Sequence, residues 1–176
     1  SSQEAYDVAI DSSDNIYIGG ETAISGRTYY FVSKYNNSGA IQWQRTFGSS
    51  NISSNGRSVT VDSSDNVYVA GQTTGGGIGV YDSVVVKYNS SGTYQWQRAI
   101  GTSGQQIAIR GMTFDSSDNI YIAGSNSSKY FFAKYNSSGT LQWQRSLGGS
   151  ASDSATSISA DDKGNVYVMG SSSSSG

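Results

Sequence analysis

The stretch KYNSSGTYQWQRAIG, residues Lys87–Gly101, decides the architecture because near-copies of it lie on either side. They read KYNNSGAIQWQRTFG at Lys34–Gly48 and KYNSSGTLQWQRSLG at Lys134–Gly148. Repeats with a period of 20–50 residues are typical of proteins in which each repeat is one supersecondary unit. The chain is therefore built from repeated units.

A second motif, shorter than the first, follows the first strand of each unit. It reads DSSDN at Asp11–Asn15, Asp62–Asn66 and Asp115–Asn119, then DDKGN at Asp161–Asn165, at steps of 51, 53 and 46 residues. Three units are complete, and a fourth contains only its first half. The predicted boundaries are 1–48, 49–101 and 102–148 for the units, 149–170 for the half unit and 171–176 for a flexible Ser-rich tail. We expect all of them to form one domain, as a segment of a longer chain.

Each unit has the pattern of four short β-strands. Asn, Asp, Ser and Gly fill the tight connections, whereas Val, Ile, Tyr, Phe and Trp dominate between them. Runs such as Val84–Val86 and Tyr130–Phe132 are apolar on both faces, which indicates strands buried on both sides. No stretch keeps helical spacing of apolar residues. The predicted fold is all-β: a β-propeller of four-stranded antiparallel blades, with about 3.5 blades in an incomplete ring.

The blocks VDSSDNVYVAG (Val61–Gly71) and KYNSSGTLQWQR (Lys134–Arg145) resemble the bacterial and phage β-propeller repeat named for seven-bladed propellers. The resemblance covers nearly the whole chain. It implies propeller blades and a setting in virion structural proteins, phage tail fibres or bacterial surface proteins. It implies neither an enzyme activity nor a fixed set of binding residues.

The composition excludes several kinds of chemistry. The 176 residues include no Cys and no His, so the chain has no disulfide, thiol nucleophile or histidine base. A formal net charge of −2 without a basic block argues against nucleic acid as a partner. No apolar run approaches the roughly 18 residues of a membrane-spanning helix, so we expect no membrane insertion. We expect a protein that is not an enzyme and binds no cofactor.

The fourth strand of each unit carries a repeated tryptophan and arginine. Alternation along the strand places both on one face. We predict that the tryptophan wedges between adjacent blades and that the arginine stem lies over an aromatic ring. The residues predicted to pack the blades in this way are Trp43, Trp96, Trp143, Arg45, Arg98 and Arg145.

The paired aspartates of the DSSDN turns have some likeness to a calcium loop. An EF-hand loop, however, has acids at positions 1, 3 and 5 and a later Glu, and none of the turns has that spacing. We therefore predict hairpin turns in which Asp caps backbone amides, and no metal site. A cation remains the alternative, with Asp11, Asp14, Asp62, Asp65, Asp115 and Asp118 as its candidate ligands.

The connection between the second and third strands varies most between units. It comprises Glu21–Tyr30, Gln72–Ser83 and Ser125–Tyr130, and we expect rim loops there, because loops on a rigid scaffold often carry recognition. Aromatic and basic side chains in them suit stacking on sugars and adaptable hydrogen bonding. The candidate rim-loop binding residues are Arg27, Tyr29, Tyr81 and Lys129. Drift in loop length without any function is the alternative.

Two arginines depart from the repeat in the first strand. Arg57 and Arg110 each lie five residues before the turn aspartate, where Tyr6 and Thr156 stand in the other units. If the first strand is innermost, as in most propellers, both arginines flank a central channel. The basic ring is incomplete because the matching residues are uncharged.

The unfinished fourth unit leaves an open strand edge, which favours pairing with another chain. The leading hypothesis is a non-enzymatic structural or interaction module located in a virion, such as a phage tail-fibre component with host-receptor binding through its rim loops. The alternative is a bacterial extracellular or cell-surface adhesin, or a carbohydrate-binding propeller. A propeller lyase or hydrolase is a third class. The expected partners are other chains of a larger assembly and a host-surface glycan or receptor.

Overall fold

The computed structural model describes residues 3–48, 54–74, 81–101, 107–148, 152–161 and 163–173. Regular structure within these ranges consists of β-strands. The strands are β1 (Gln3–Ile10), β2 (Ile16–Ile24), β3 (Arg27–Tyr35), β4 (Ile41–Phe47), β5 (Ser54–Val61), β6 (Val67–Thr74), β7 (Tyr81–Tyr88), β8 (Tyr94–Ile100), β9 (Ile107–Phe114), β10 (Ile120–Asn126), β11 (Lys129–Tyr135), β12 (Leu141–Leu147), β13 (Asp153–Ala160) and β14 (Val166–Ser172). A helix long and apolar enough to cross a membrane does not occur in these ranges.

The strands form three complete sheets and one partial sheet. Neighbouring strands in the order β1–β2–β3–β4, β5–β6–β7–β8 and β9–β10–β11–β12 make blades 1 to 3, and β13–β14 makes a half blade. Every pair of neighbouring strands is antiparallel. The prediction of an all-β chain with four-stranded antiparallel blades is confirmed. The half blade extends beyond residue 170, because Ser171 and Ser172 pair with Ser154 and Asp153.

Tight turns close the hairpins at the positions that the sequence motifs mark. The turn between the first two strands of a blade has its second aspartate in the left-handed region, with φ near 60° at Asp14, Asp65 and Asp118. Asp tolerates this conformation better than most residues. Glycine takes the left-handed position between the third and fourth strands, for example Gly39 at φ 79° and Gly92 at φ 77°.

The prediction of rim loops between the second and third strands is wrong for blades 1 and 3. Only Ser25 and Gly26 separate β2 from β3, both at positive φ, so most of Glu21–Tyr30 is paired strand. Two residues likewise separate β10 from β11. Two-residue turns of this kind match the twist of the flanking strands, so the ladder continues to the turn. In blade 2 the strands reach Thr74 and Tyr81, and residues 75–80 of the predicted loop lie outside the described residues.

The hydrophobic core lies between blades. Tyr17 and Val32 of blade 1 pack against Val59, Val69 and Val84 of blade 2. A second cluster joins blades 2 and 3, and a third joins blade 3 to the half blade. A side chain such as Val or Ile gains about 1.5–3 kcal/mol when it is fully buried, so each blade is stabilised chiefly by its neighbours.

The two terminal faces have no such neighbour among the described residues. Val8 in blade 1 is 60% exposed, whereas Val59, its equivalent in blade 2, is 3% exposed. At the other end Tyr167 is 59% exposed, whereas its equivalent Tyr68 is fully buried. The same side chains are thus buried or exposed according to whether another blade covers them.

Candidate functional site

The first aspartate of each DSSDN turn organises its own hairpin. The carboxylate of Asp11 accepts hydrogen bonds from the backbone amides of Ser13 and Asn15, from the Asn15 side chain and from the Tyr17 hydroxyl, at 2.9–3.0 Å. Lys34 on the third strand adds an ion pair at 3.2 Å, and the Asp11 side chain is only 1% exposed. The corresponding ion pairs in blades 2 and 3 are Lys87–Asp62 and Lys134–Asp115, both at 3.3 Å.

These contacts hold the carboxylates in the charged form. Burial by itself would raise the pKa of Asp11, but hydrogen bonds from Asn15, Tyr17 and Ser13 outweigh it and lower the pKa to about 2. The pKa of Asp115 is also lowered to about 2, against burial, by hydrogen bonds led by those from Asn119. The first aspartate is therefore a charged anchor of the turn.

The second aspartate connects neighbouring blades. The backbone amide and the hydroxyl of Ser12 donate to the two carboxylate oxygens of Asp65 at 2.9 and 2.8 Å. Ser63 makes the same pair of bonds to Asp118, at 3.0 and 2.7 Å. We call this contact the serine–aspartate latch. The fourth turn has Gly164 in the matching position, so it offers no carboxylate to blade 3.

The latch and the turn anchor account for most of the aspartates that the sequence offered as cation ligands. The exception is Asp14, which begins the series of latch positions and has no blade before it among the described residues. Within the described ranges, no group of three or more Asp and Glu side chains could hold a metal ion. The arrangement of carboxylates serves turn closure and blade contact.

The repeated tryptophan and arginine of blade 1 donate hydrogen bonds to a turn of the next blade. The indole Nε1 of Trp43 donates to the carbonyl of Ser90 at 3.2 Å, and Nε of Arg45 donates to the carbonyl of Gly92 at 2.7 Å. The Arg45 guanidinium lies over the Trp43 ring at 5.5 Å. We call this arrangement the Trp–Arg clamp, and it holds the turn between the third and fourth strands of the following blade.

Blade 2 repeats the arginine part of the clamp, with the Trp96 ring packed beside Gly139, and blade 3 has an empty clamp. Nε of Arg98 donates to the carbonyl of Gly139 in blade 3 at 3.3 Å, while its guanidinium lies 5.0 Å from the Trp96 ring. In blade 3 the guanidinium of Arg145 likewise lies over Trp143, at 5.9 Å. The half blade has no third and fourth strands among the described residues, so this last clamp grips no turn.

An apolar cleft beside the half blade adjoins the empty clamp. It has a volume of about 470 Å³ and is lined by Tyr130, Phe132, Leu147, Val168, Met169 and Gly170. Three residues of β14, Val168 to Gly170, line it, and the other edge of β14 is open because β14 pairs only with β13 in the described sheet. Asp161 accepts from Asn165 and Tyr167, but the Lys–Asp ion pairs of the described residues do not include it. We call the cleft, this edge, Asp161 and the empty clamp the open socket.

A second cleft lies where the first strands of the blades meet. It has a volume of about 320 Å³, and Tyr6, Arg57, Arg110 and Thr156 all line it. The sequence placed these residues at one position of the repeat, and the structure brings them to one cleft. The Arg57 guanidinium lies 4.7 Å from the centre of the Tyr6 ring.

The candidate rim-loop residues are spread over three blades. Arg27 is exposed at the start of β3, and Tyr29 is half-buried two residues later. Lys129 is exposed at the start of β11 in blade 3. Tyr81 begins β7, but its side chain lies outside the described residues. The latch was not predicted, although its only sequence signal, the second aspartate together with the serine that follows the first aspartate, recurs in each complete repeat.

Comparison with known proteins agrees with this geometry. The family model SBBP, described as a β-propeller repeat, matches residues 42–79, 95–128 and 142–176, which is more than half of the chain. Each match begins in the fourth strand of one blade and continues into the next blade or the half blade. The resemblance read from the sequence blocks is therefore confirmed.

Two further proteins are similar over part of their length. An uncharacterized WD repeat-containing protein of Acanthamoeba polyphaga mimivirus is 31% identical over an alignment of 126 residues, and the match covers 57% of this chain and 9% of that protein. A crystal structure of a Bacteroides caccae protein of unknown function superposes with a TM-score of 0.57 at 15% identity. That match covers 94% of this chain and 53% of the other, and it concerns the fold alone.

Proposed function

The chain belongs to the SBBP β-propeller repeat family, and from this premise we propose that it is a non-enzymatic propeller module whose open socket accepts a further hairpin of the same repeat, from the same polypeptide or from another chain. The observation that carries the proposal is the exposed edge of β14 beside an apolar cleft. An unpaired edge provides backbone donors and acceptors for an added strand. The apolar cleft provides burial for alternate side chains of that strand.

The three complete blades define what fits the socket. In each of them a third strand pairs with the second and brings a lysine to the turn aspartate, as Lys134 does for Asp115 at 3.3 Å. In blades 2 and 3 the following turn enters the Trp–Arg clamp of the preceding blade, as Gly139 does beneath Trp96. The occupant that we propose is a hairpin of the same repeat, with lysine facing Asp161 and an Asn-Ser-Ser-Gly turn in the clamp of Trp143.

A peptide of residues 129–147 tests this, because it carries the third and fourth strands of blade 3. Titrated into the whole chain, it should bind in the calorimeter and raise the unfolding temperature. The matched control is the same peptide with Lys134→Met, which loses the ion pair and should bind about tenfold more weakly. Asp161→Asn in the protein should remove that difference between the peptides. Absence of binding, or equal binding of both peptides to the unchanged protein, would contradict the proposal.

We further propose a virion or tail-fibre setting for this module. The mimivirus relative, whose name records repeats of the WD type, is a viral protein, and this is the observation that supports a virion setting. Mass spectrometry of purified particles tests the setting. Recovery of the protein in a cell-surface fraction, with none in the particles, would favour the bacterial adhesin instead.

The alternative of glycan recognition rests on the exposed Arg27 and Lys129 and the half-buried Tyr29 at the hairpin ends. Aromatic faces with adjacent basic groups suit sugar stacking. A glycan screen with Tyr29→Ala as the variant and Tyr94→Ala as an exposed aromatic control separates the cases. Binding that is lost only with Tyr29→Ala would support recognition at the hairpin ends. A screen without any binding would remove it.

A further inference from the structure

One residue in each first strand is left out of the strand pairing. The register skips from Ala5 to Asp7 in β1, from Gly56 to Ser58 in β5 and from Ala155 to Ser157 in β13. In β9 it skips Arg110. The four residues in the extra position are Tyr6, Arg57, Arg110 and Thr156. A β-bulge of this kind bends the strand and re-aims a side chain, and bulges are frequent beside functional sites.

The bulges place these four side chains in the inner cleft of about 320 Å³. Positions that hold the blades together keep nearly the same residue in every complete repeat, as the turn aspartates and the clamp tryptophans do. The bulge position instead has tyrosine in blade 1, arginine in blades 2 and 3 and threonine in the half blade. A position with a fixed backbone irregularity and a varied side chain is typical of a binding surface on a constant scaffold.

The cleft is lined by two arginines, Arg57 and Arg110, and one aspartate, Asp7, so its lining has a net positive charge. Glu4 accepts a hydrogen bond from the Tyr6 hydroxyl at 2.8 Å. The ion pairs of the described residues include neither arginine. Nε of Arg57 is buried without a hydrogen-bond partner. Burial, and then the positive charge of Arg57, lowers the pKa of Arg110 from its ordinary value, as expected for two like charges in one cleft. An anion between them would relieve that repulsion.

Asp7 also lines the cleft, but other donors already use its carboxylate. One oxygen accepts from the backbone amide of Val8 at 2.9 Å. The other accepts from the hydroxyl of Ser58 at 3.0 Å and from the backbone amide of Val59 at 2.9 Å. Asp7 therefore connects blades 1 and 2 through these hydrogen bonds, and the ion pairs of the described residues do not join it to either arginine.

We propose that the inner cleft binds a small ligand through an oxyanion, a carboxylate, sulfate or phosphate group held between Arg57 and Arg110. Guanidinium groups present a planar set of donors that matches such oxygens in a bidentate manner. The Tyr6 ring supports the Arg57 guanidinium from one side, at 4.7 Å. The cleft volume lies at the lower end of small-molecule sites, which corresponds to a ligand of about one sugar ring. This site is separate from the open socket and does not depend on it.

Calorimetry on the whole chain at low ionic strength tests the proposal, with glucuronate, inorganic sulfate and inorganic phosphate as probes and glucose as the neutral control. We expect at least one anion to bind and glucose not to bind. Arg57→Gln and Arg110→Gln should each weaken binding about tenfold or more, because each removes a charge-assisted contact. Lys163→Gln removes the same charge from an exposed turn and should leave binding unchanged.

Arg57→Lys and Arg110→Lys keep the positive charge, and they serve as controls for whether a loss of binding comes from a loss of folding. Their thermal unfolding should match that of the unchanged protein, while binding falls because the bidentate geometry is lost. Tighter binding of glucuronate than of sulfate and phosphate would identify a carboxylate ligand, and the reverse order would identify a sulfated or phosphorylated one. Absence of anion binding, or binding that all the arginine variants retain, would overturn the proposal.

Discussion

Substituting alanine for one turn glycine tests whether the Trp–Arg clamp stabilises the stack of blades. Gly39 and Gly92 occupy the same position of the same turn, at φ 79° and 77°. No described atom lies within 4 Å of a methyl group placed on Gly39. A methyl group on Gly92 would lie 2.8 Å from Cδ2 of Trp43 and 3.1 Å from Nη2 of Arg45. The pair of substitutions therefore differs only in the presence of the clamp.

The expected magnitudes follow from these contacts. The left-handed conformation costs a side chain about 1 kcal/mol, so Gly39→Ala should lower the free energy of unfolding by about that amount. Gly92→Ala adds overpacking against Trp43, which costs a further 1–3 kcal/mol or so. For a chain of this size about 1 kcal/mol shifts the unfolding temperature by roughly 2–4 °C. Gly92→Ala should therefore unfold roughly 4–8 °C below Gly39→Ala, if the extra cost is about 2 kcal/mol.

Differential scanning calorimetry of the two variants and the unchanged protein measures the difference. Gly139→Ala is an internal check, because its methyl group would lie 3.2 Å from the Trp96 ring and should give an intermediate loss. Combining Gly92→Ala with Trp43→Ala should remove the extra cost, since the clashing ring is gone. Equal unfolding temperatures for Gly39→Ala and Gly92→Ala would refute the inference that the clamp packs tightly on the next blade.

Two further predictions concern the turn aspartates. Because the pKa of Asp11 and of Asp115 is about 2 in the folded chain, against 3.8 ordinarily, the unfolded chain takes up these protons first as the pH falls. The stabilisation by these two carboxylates should be complete above about pH 4 and be lost towards about pH 2. In that pH range the midpoint of urea unfolding should fall less steeply for Asp115→Asn than for the unchanged protein. Equal slopes of the midpoint against pH for the two proteins would contradict this prediction. For the latch, Asp118→Asn should lower the free energy of unfolding by about 1 kcal/mol more than Asp14→Asn, because Ser63 donates to Asp118. Chemical denaturation measures both, and equal losses would show that the latch contributes nothing.

The fold could be predicted largely from the sequence because its signals are local. The turn motifs at Asp62 and Asn89 and the β-rich runs between them fix short hairpins by their own backbone preferences. The prediction of rim loops was wrong because a local pattern does not determine how far two strands continue before they turn. Ser25 and Gly26 suffice for a two-residue turn, and no pattern in Glu21–Tyr30 distinguishes such a turn from a longer loop.

The sites depend on contacts that no local pattern records. Arg57 and Arg110 are 53 residues apart in the sequence, and they share a cleft only because each strand bulges at that position and successive first strands lie side by side. The pairing of Ser12 with Asp65 likewise joins residues of different repeats.

The sequence by itself determined the unit of this protein: a four-stranded blade, its turns, and a count of three blades and one half. Turn chemistry and alternation act within a few residues, so a single chain is enough to read them. Only the tertiary structure decided which charged groups have partners and which apolar groups are buried. Tyr68 is buried and Tyr167 exposed, although both follow the same motif, because burial depends on the neighbouring blade. That dependence is also why the open socket and the inner cleft became visible only once the blades were placed side by side.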